Sequence, residues 1–175
     1  MKKRFLEFFE NKKMFLFGLG IGVFFTWLDL ITKATIFNKL TRLSKITLGL
    51  HRHIKINSFF NLVMVRNRGV SFGMFSSLAY GQIILSLITI AIIVFIFYLM
   101  WKTESVYSIA YLSLIVGGAF GNLVDRIRFG GVADFLDFHL GGYHWPAFNL
   151  ADSIVCIGVF MILIEGIVKK KFDWK

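Results

Sequence analysis

The chain has 175 residues, of which 57% are hydrophobic and only 17% charged, with a formal net charge of +10. Soluble domains carry about 25% charged residues, so the balance excludes an ordinary soluble fold and points to lipid as the solvent. No basic helix or aromatic stacking platform accompanies the positive charge, so a nucleic-acid partner is not expected. The Lys and Arg residues suit anionic phospholipid headgroups instead.

A membrane helix needs about 20 mostly apolar residues, and four stretches qualify: about 14–37, 79–101, 106–124 and 148–168. The basic start followed by an apolar run resembles a signal peptide. The run is too long and lacks a small-residue cleavage site, so it reads as a retained first span. That span is interrupted by Asp29 and Lys33, four apart and hence on one helix face. They suit a neutralising pair, and Asp29 is also placed to orient a substrate backbone. One proline, Pro146, and no Ser/Gly-rich run argue for a single membrane-embedded domain over residues 1–175.

The segment 38–78 is too long for a simple turn. Its alternating stretch HIKINSFFNLVMV suits short strands. The expected fold is therefore an all-α membrane protein of four transmembrane helices, with a small extracytoplasmic β-sheet between the first and second. This segment holds seven Lys/Arg and no acid, which suits a solvated loop or a surface for phospholipid headgroups or an anionic part of a substrate. The second and third spans form a hairpin through residues 102–105. The flanks 1–13, 102–105 and 169–175 hold ten Lys/Arg in 24 residues, against nine in 64 for 38–78 and 125–147. Short basic flanks stay inside, so both termini are expected in the cytoplasm.

The third span closes as GGAFGNLVDRIRFGG. Asn122 and Asp125 share a helix face, Arg126 follows, and Gly117 and Gly121 form a GxxxG that admits a close neighbour. In GVADFLDFHL, Asp134 has apolar neighbours on both sides and is expected to be partly buried, Asp137 to be solvated. In FNLADSIVCIG, Asn149 suits an N-cap and Asp152 the third position of a capping box. Cys156 is unable to pair within the chain and reads as a small buried hydrophobe. Glu165 reads as an interfacial partner of Lys169. GVSFG, at 69–73, matches a nucleophile elbow but lacks its strand-turn-helix setting. GLGIG lacks a preceding strand. His51, His53, His139 and His144 form no zinc motif, so neither a metal nor another cofactor is expected.

Peptide hydrolysis needs an activated water and a proton for the leaving amine. Two close carboxylates sharing one proton supply both, and Asp134 and Asp152 are the candidates, both at the outer membrane boundary. A proton relay or transporter would use similar acids nearer mid-membrane. A non-enzymatic scaffold would not need them.

The blocks GGAFGNLVDR, GVADF and FNLADS, with DLITK in the first span and RNRGVSF in the loop, resemble the five motifs of the lipoprotein signal peptidase (signal peptidase II) family over nearly the whole chain. The arginines of RNRGVSF depart from the small or uncharged residues usual there. The resemblance implies catalysis by Asp134 and Asp152, with Asp29, Lys33, Asn67, Gly69, Asn122, Asp125, Arg126 and Asn149 in substrate-binding or supporting roles. It also implies the substrate: prolipoproteins cut immediately before a diacylglyceryl-modified cysteine, at the outer face of the bacterial inner membrane.

Overall fold

The computed structural model describes residues 2–46, 53–69 and 80–172. It contains the helices α1 (Lys2–Ile46), α2 (Gly81–Lys102), α3 (Val106–Phe129) and α4 (Leu150–Phe172), and the strands β1 (His53–Lys55), β2 (Phe60–Asn67), β3 (Val132–Leu140) and β4 (Tyr143–His144). All four helices are long and apolar enough to cross a membrane. In α3 the most apolar window is 56% buried, against 17–22% in the other three. That difference makes α3 the centre of the bundle, with α1, α2 and α4 arranged around it and much of their surface left to lipid.

Small residues on α3 set how closely its neighbours approach. A Cβ on Gly117 would meet the Gly22 carbonyl of α1 at 2.8 Å, and one on Gly118 would run into the Ala151 carbonyl of α4. With no hydrophobic driving force between helices in lipid, such backbone approach supplies packing energy. On another side of α3, Ile109, Leu112, Ile115 and Val116 close a buried cluster with Ile96 and Met100 of α2.

The first helix runs on to Ile46, past the expected end at Phe37. No glycine or proline interrupts 38–46, and Leu40 is completely buried, so packing rewards the extension. The Thr41 hydroxyl there donates to Met64 Sδ of β2 at 3.7 Å.

The expected sheet is present and draws on more chain than segment 38–78. Its order is β1-β2-β3-β4, all antiparallel, with β3 and β4 contributed by residues between α3 and α4. Gly130, at φ 64°, ends α3 in the left-handed conformation that glycine tolerates, and the chain turns into β3. Asn61 pairs with Asp137 and Val65 with Asp134, with a register shift between them. The rings of Phe60, Phe138 and Phe148 stack in succession at 4.7 and 5.8 Å. The sheet thereby ties the α3–α4 connection to the α1–α2 connection above one end of the bundle.

Candidate active site

Asp152 occupies the first turn of α4, and the expected capping box is formed. The Asp152 N–H donates to Asn149 Oδ1 at 3.0 Å, and the Asn149 N–H donates to Asp152 Oδ2 at 3.1 Å. The positive helix end favours a carboxylate there. Asp134 arrives from the opposite side on β3 and is 2% exposed. Asn149 joins the two acids: its Nδ2 donates to Asp134 Oδ1 at 2.6 Å while its Oδ1 caps Asp152.

The amide orientations follow from the network. Gly69 N–H donates to Asn67 Oδ1 at 2.9 Å, which turns Asn67 Nδ2 to donate to Asp134 Oδ2 at 3.0 Å. Lys33 Nζ donates to Asn122 Oδ1 at 3.0 Å, which turns Asn122 Nδ2 to donate to Asp152 Oδ1 at 2.7 Å. Burial and then the negative charge of Asp152 raise the Asp134 pKa. The amides of Asn67 and Asn149 oppose the rise, and it stands at about 6.

Beneath the two acids lies a buried charged cluster. Lys33 Nζ is 2.7 Å from Asp29 Oδ2 and 3.0 Å from Asp125 Oδ2. Asp29 Oδ1 accepts the Ala151 N–H at 2.9 Å, and Asp125 Oδ2 accepts the Ala133 N–H at 3.0 Å. Each supporting carboxylate thus grips the backbone one residue before a candidate catalytic aspartate, and Lys33 links the two grips. A Cβ on Gly121 would collide with Asp29 Oδ2, so this glycine admits the cluster.

A cavity of about 540 Å³ opens over the acids, lined by Asn67, Gly69, Asn122, Arg126, Asp134 and Asp152, with Trp145–Phe148 and α4 residues including Cys156. Arg126 is half-buried on the cavity wall. Among the described residues it pairs with no carboxylate, and its buried Nε has no partner. The structure therefore gathers all ten residues singled out from the sequence around one cavity and the cluster below it.

Two expectations need correction. Asp137 is buried at 6% exposure, because its β3 position faces Asn61 across the ladder. Asn61 Nδ2 donates to it at 2.9 Å, and His144 Nδ1 lies 2.7 Å from its other oxygen. Burial pushes its pKa up, but the hydrogen bonds from His144 and Asn61 outweigh that and hold it below the usual carboxylate range. Cys156 is exposed, because α4 is covered on one side only. Glu165 accepts from Ser105 and Ser108 of α3, and the side chain of Lys169, its expected partner, lies outside the described residues. The partnership of Asn61 and His144 with Asp137 escaped the sequence reading, since it depends on strand register. His51 and Ser71 lie outside the described residues.

Together these features define a multi-pass membrane protein with a cavity at one end of its helical bundle that holds two carboxylates. The family profile of signal peptidase (SPase) II matches residues 21–168. The lipoprotein signal peptidase of Anaplasma phagocytophilum (strain HZ) is 44% identical over 120 residues, covering 69% of this chain and 77% of that protein. That of Janthinobacterium sp. (strain Marseille) is 41% identical over 161 residues, covering 91% and 93%. A bacterial membrane enzyme solved by the in meso method at 2.3 Å superposes with a TM-score of 0.70 at 30% identity, over 90% of this chain and 91% of the other. The chain belongs to the signal peptidase II family, and is thus a bacterial multi-pass membrane peptidase.

Proposed function

We propose that this chain is an aspartic endopeptidase that removes the signal peptide of prolipoproteins immediately before a diacylglyceryl-modified cysteine, with Asp134 and Asp152 as its catalytic pair. The observation that carries the reading is that both acids line one open cavity while their environments differ. Asp152 is held by a capping box at a helix N-terminus, and Asp134 is buried with its pKa lifted to about 6. Environments that push two carboxylates apart assign one as base and the other as acid.

In this reading Asp152 takes a proton from a water seated between the acids, and the water attacks the scissile carbonyl. Asp134 supplies the proton that the leaving amine needs. A substrate that seals the cavity removes remaining water and lifts the Asp134 pKa further. The Arg126 guanidinium and the Asn67 and Asn122 amides line the path of the substrate backbone and supply donors to its carbonyls.

The site faces outward, both termini lie in the cytoplasm, and the 1–175 chain acts as one membrane-embedded domain. Prolipoprotein substrates and surrounding phospholipids are its partners, and the dyad needs no cofactor. Asp134→Asn and Asp152→Asn should each abolish cleavage of a lipid-modified precursor in membranes while leaving the protein inserted. Normal processing by either variant would refute the assignment.

A further inference from the structure

Among the described residues, the end of the bundle that carries the sheet exposes charge of one sign. No Asp or Glu occurs between Asp29 and Glu104. The acids at this end are Asp29, Asp125, Asp134, Asp137 and Asp152. The first four are buried, and the Asp152 carboxylate is taken up by Asn122 and Asn149 inside the cavity. Arg66, Arg68 and Arg128 are exposed, and among the described residues none of them pairs with a carboxylate. Two of the three are nevertheless held in place. The Arg66 guanidinium carbon lies 4.8 Å from the centre of the Phe129 ring and 5.7 Å from that of Phe37, and the Arg128 guanidinium carbon lies 5.1 Å from Phe129. Arg66 Nη1 also donates to the Gly131 carbonyl at 3.4 Å. Ring faces steady a guanidinium and leave its N–H edge open. Phe37 belongs to α1 and Phe129 ends α3, so this ledge joins two spans where they meet the sheet. On its apolar side Ile127 and Phe129 are 69% and 51% exposed.

We propose that the ledge of Phe37, Arg66, Phe129 and Arg128 binds an anionic phospholipid, with the headgroup phosphate on the open N–H edges of the two arginines and an acyl chain along Ile127 and Phe129. Arg66 belongs to RNRGVSF, whose arginines the peptidase reading leaves without a role. A guanidinium fork matches phosphate oxygens in a bidentate way. Cations near the membrane surface attract anionic lipid, and here no exposed carboxylate opposes them. The apolar surface decides between a lipid and a soluble anion. A free phosphate uses the arginines alone, whereas a phospholipid also covers Ile127 and Phe129. Neither Arg66 nor Arg128 lines the cavity over the two aspartates. Gly131, which Arg66 grips, lies just before β3 and three residues before Asp134. An occupied ledge therefore braces the start of β3 from outside the cavity.

The experiment titrates the full-length protein in a neutral detergent with dioctanoyl phosphatidylglycerol and counts bound lipid by native mass spectrometry. The unaltered protein should bind this lipid about tenfold more tightly than dioctanoyl phosphatidylcholine, whose choline cancels the phosphate charge. It should bind glycerophosphoglycerol, the same headgroup without acyl chains, more weakly by a similar factor. Arg66→Gln with Arg128→Gln should weaken binding of the anionic lipid about tenfold or more, as the loss of charge-assisted hydrogen bonds requires. Lys45→Gln with Lys55→Gln removes the same charge from this end of the molecule and should weaken binding less than about twofold, since exposed charges at a distance are screened. Lys55 pairs with Asn61, five residues along β2 from Arg66. Equal losses in the two double variants would reveal diffuse attraction. Equal binding of glycerophosphoglycerol would reveal a free-anion site, and equal binding of phosphatidylcholine an indifferent apolar surface. Each of these three results would overturn the proposal. If the glutamine variant does not fold, Arg66→Lys with Arg128→Lys keeps the charge and loses the planar fork. Weaker binding by that variant supports the site, and unchanged binding refutes it.

Discussion

Lys33→Met isolates the buried cluster. Lys33 is 3% exposed, and the carboxylates it joins, Asp29 and Asp125, are 0% and 2% exposed. Substitution by an apolar side chain leaves two buried carboxylates facing each other without the cation. Removing one partner of a buried ion pair costs about 3–5 kcal/mol, a large fraction of a total stability of about 5–15 kcal/mol. For a chain of this length that corresponds to a Tm lower by about 10 °C. The same carboxylates hold the Ala151 and Ala133 N–H groups, so the two aspartates lose their spacing and peptidase activity should fall as well. Thermal unfolding in detergent and precursor cleavage in membranes measure the two effects. Asp29→Asn combined with Lys33→Met removes one stranded charge while keeping an oxygen for Ala151, and should recover part of the Tm. A Lys33→Met protein with unchanged Tm, or a double variant less stable than the single one, would refute the reasoning.

Asn67→Ala removes an N–H donor to the Asp134 carboxylate. Hydrogen bonds to charged groups contribute about 1.5–3 kcal/mol, so the Asp134 pKa should rise by roughly one unit or more. Since the acid role requires the protonated form, the alkaline limb of kcat/KM against pH should move upward; a downward move would reject it. Gly121→Ala drives a methyl group into Asp29 Oδ2 and should destabilise by about 1–3 kcal/mol, read as a lower Tm in detergent. His144→Ala takes away a hydrogen bond that holds Asp137 low. The Asp137 pKa should rise, and its titration followed by NMR should shift upward. Reporter fusions after Lys175 and within residues 40–55 should report opposite sides of the membrane, with the C-terminal fusion inside.

The sequence by itself determined the solvent, the four spans and the residues that break the apolar rule. Charged and amide side chains in an otherwise apolar chain are few, and each is costly unless it has a partner. That is why Asp29, Lys33, Asn122, Asp125, Asp134, Asn149 and Asp152 stood out without coordinates. The capping box at Asn149 and Asp152 was legible for the same local reason: both partners lie within one turn. What spacing along the chain did not carry is which groups meet across elements. Asp29 reaches Ala151 from 122 positions away, through a helix approach that Gly121 permits. Asp137 read as solvated because its partners Asn61 and His144 become neighbours only through the pairing of β2 with β3 and of β3 with β4. Cys156 read as buried because hydropathy does not distinguish the side of a helix facing protein from the side facing lipid or a cavity. In a lipid solvent an apolar residue is equally at home on either side, and only the packing of α4 on α3 decided which one Cys156 took.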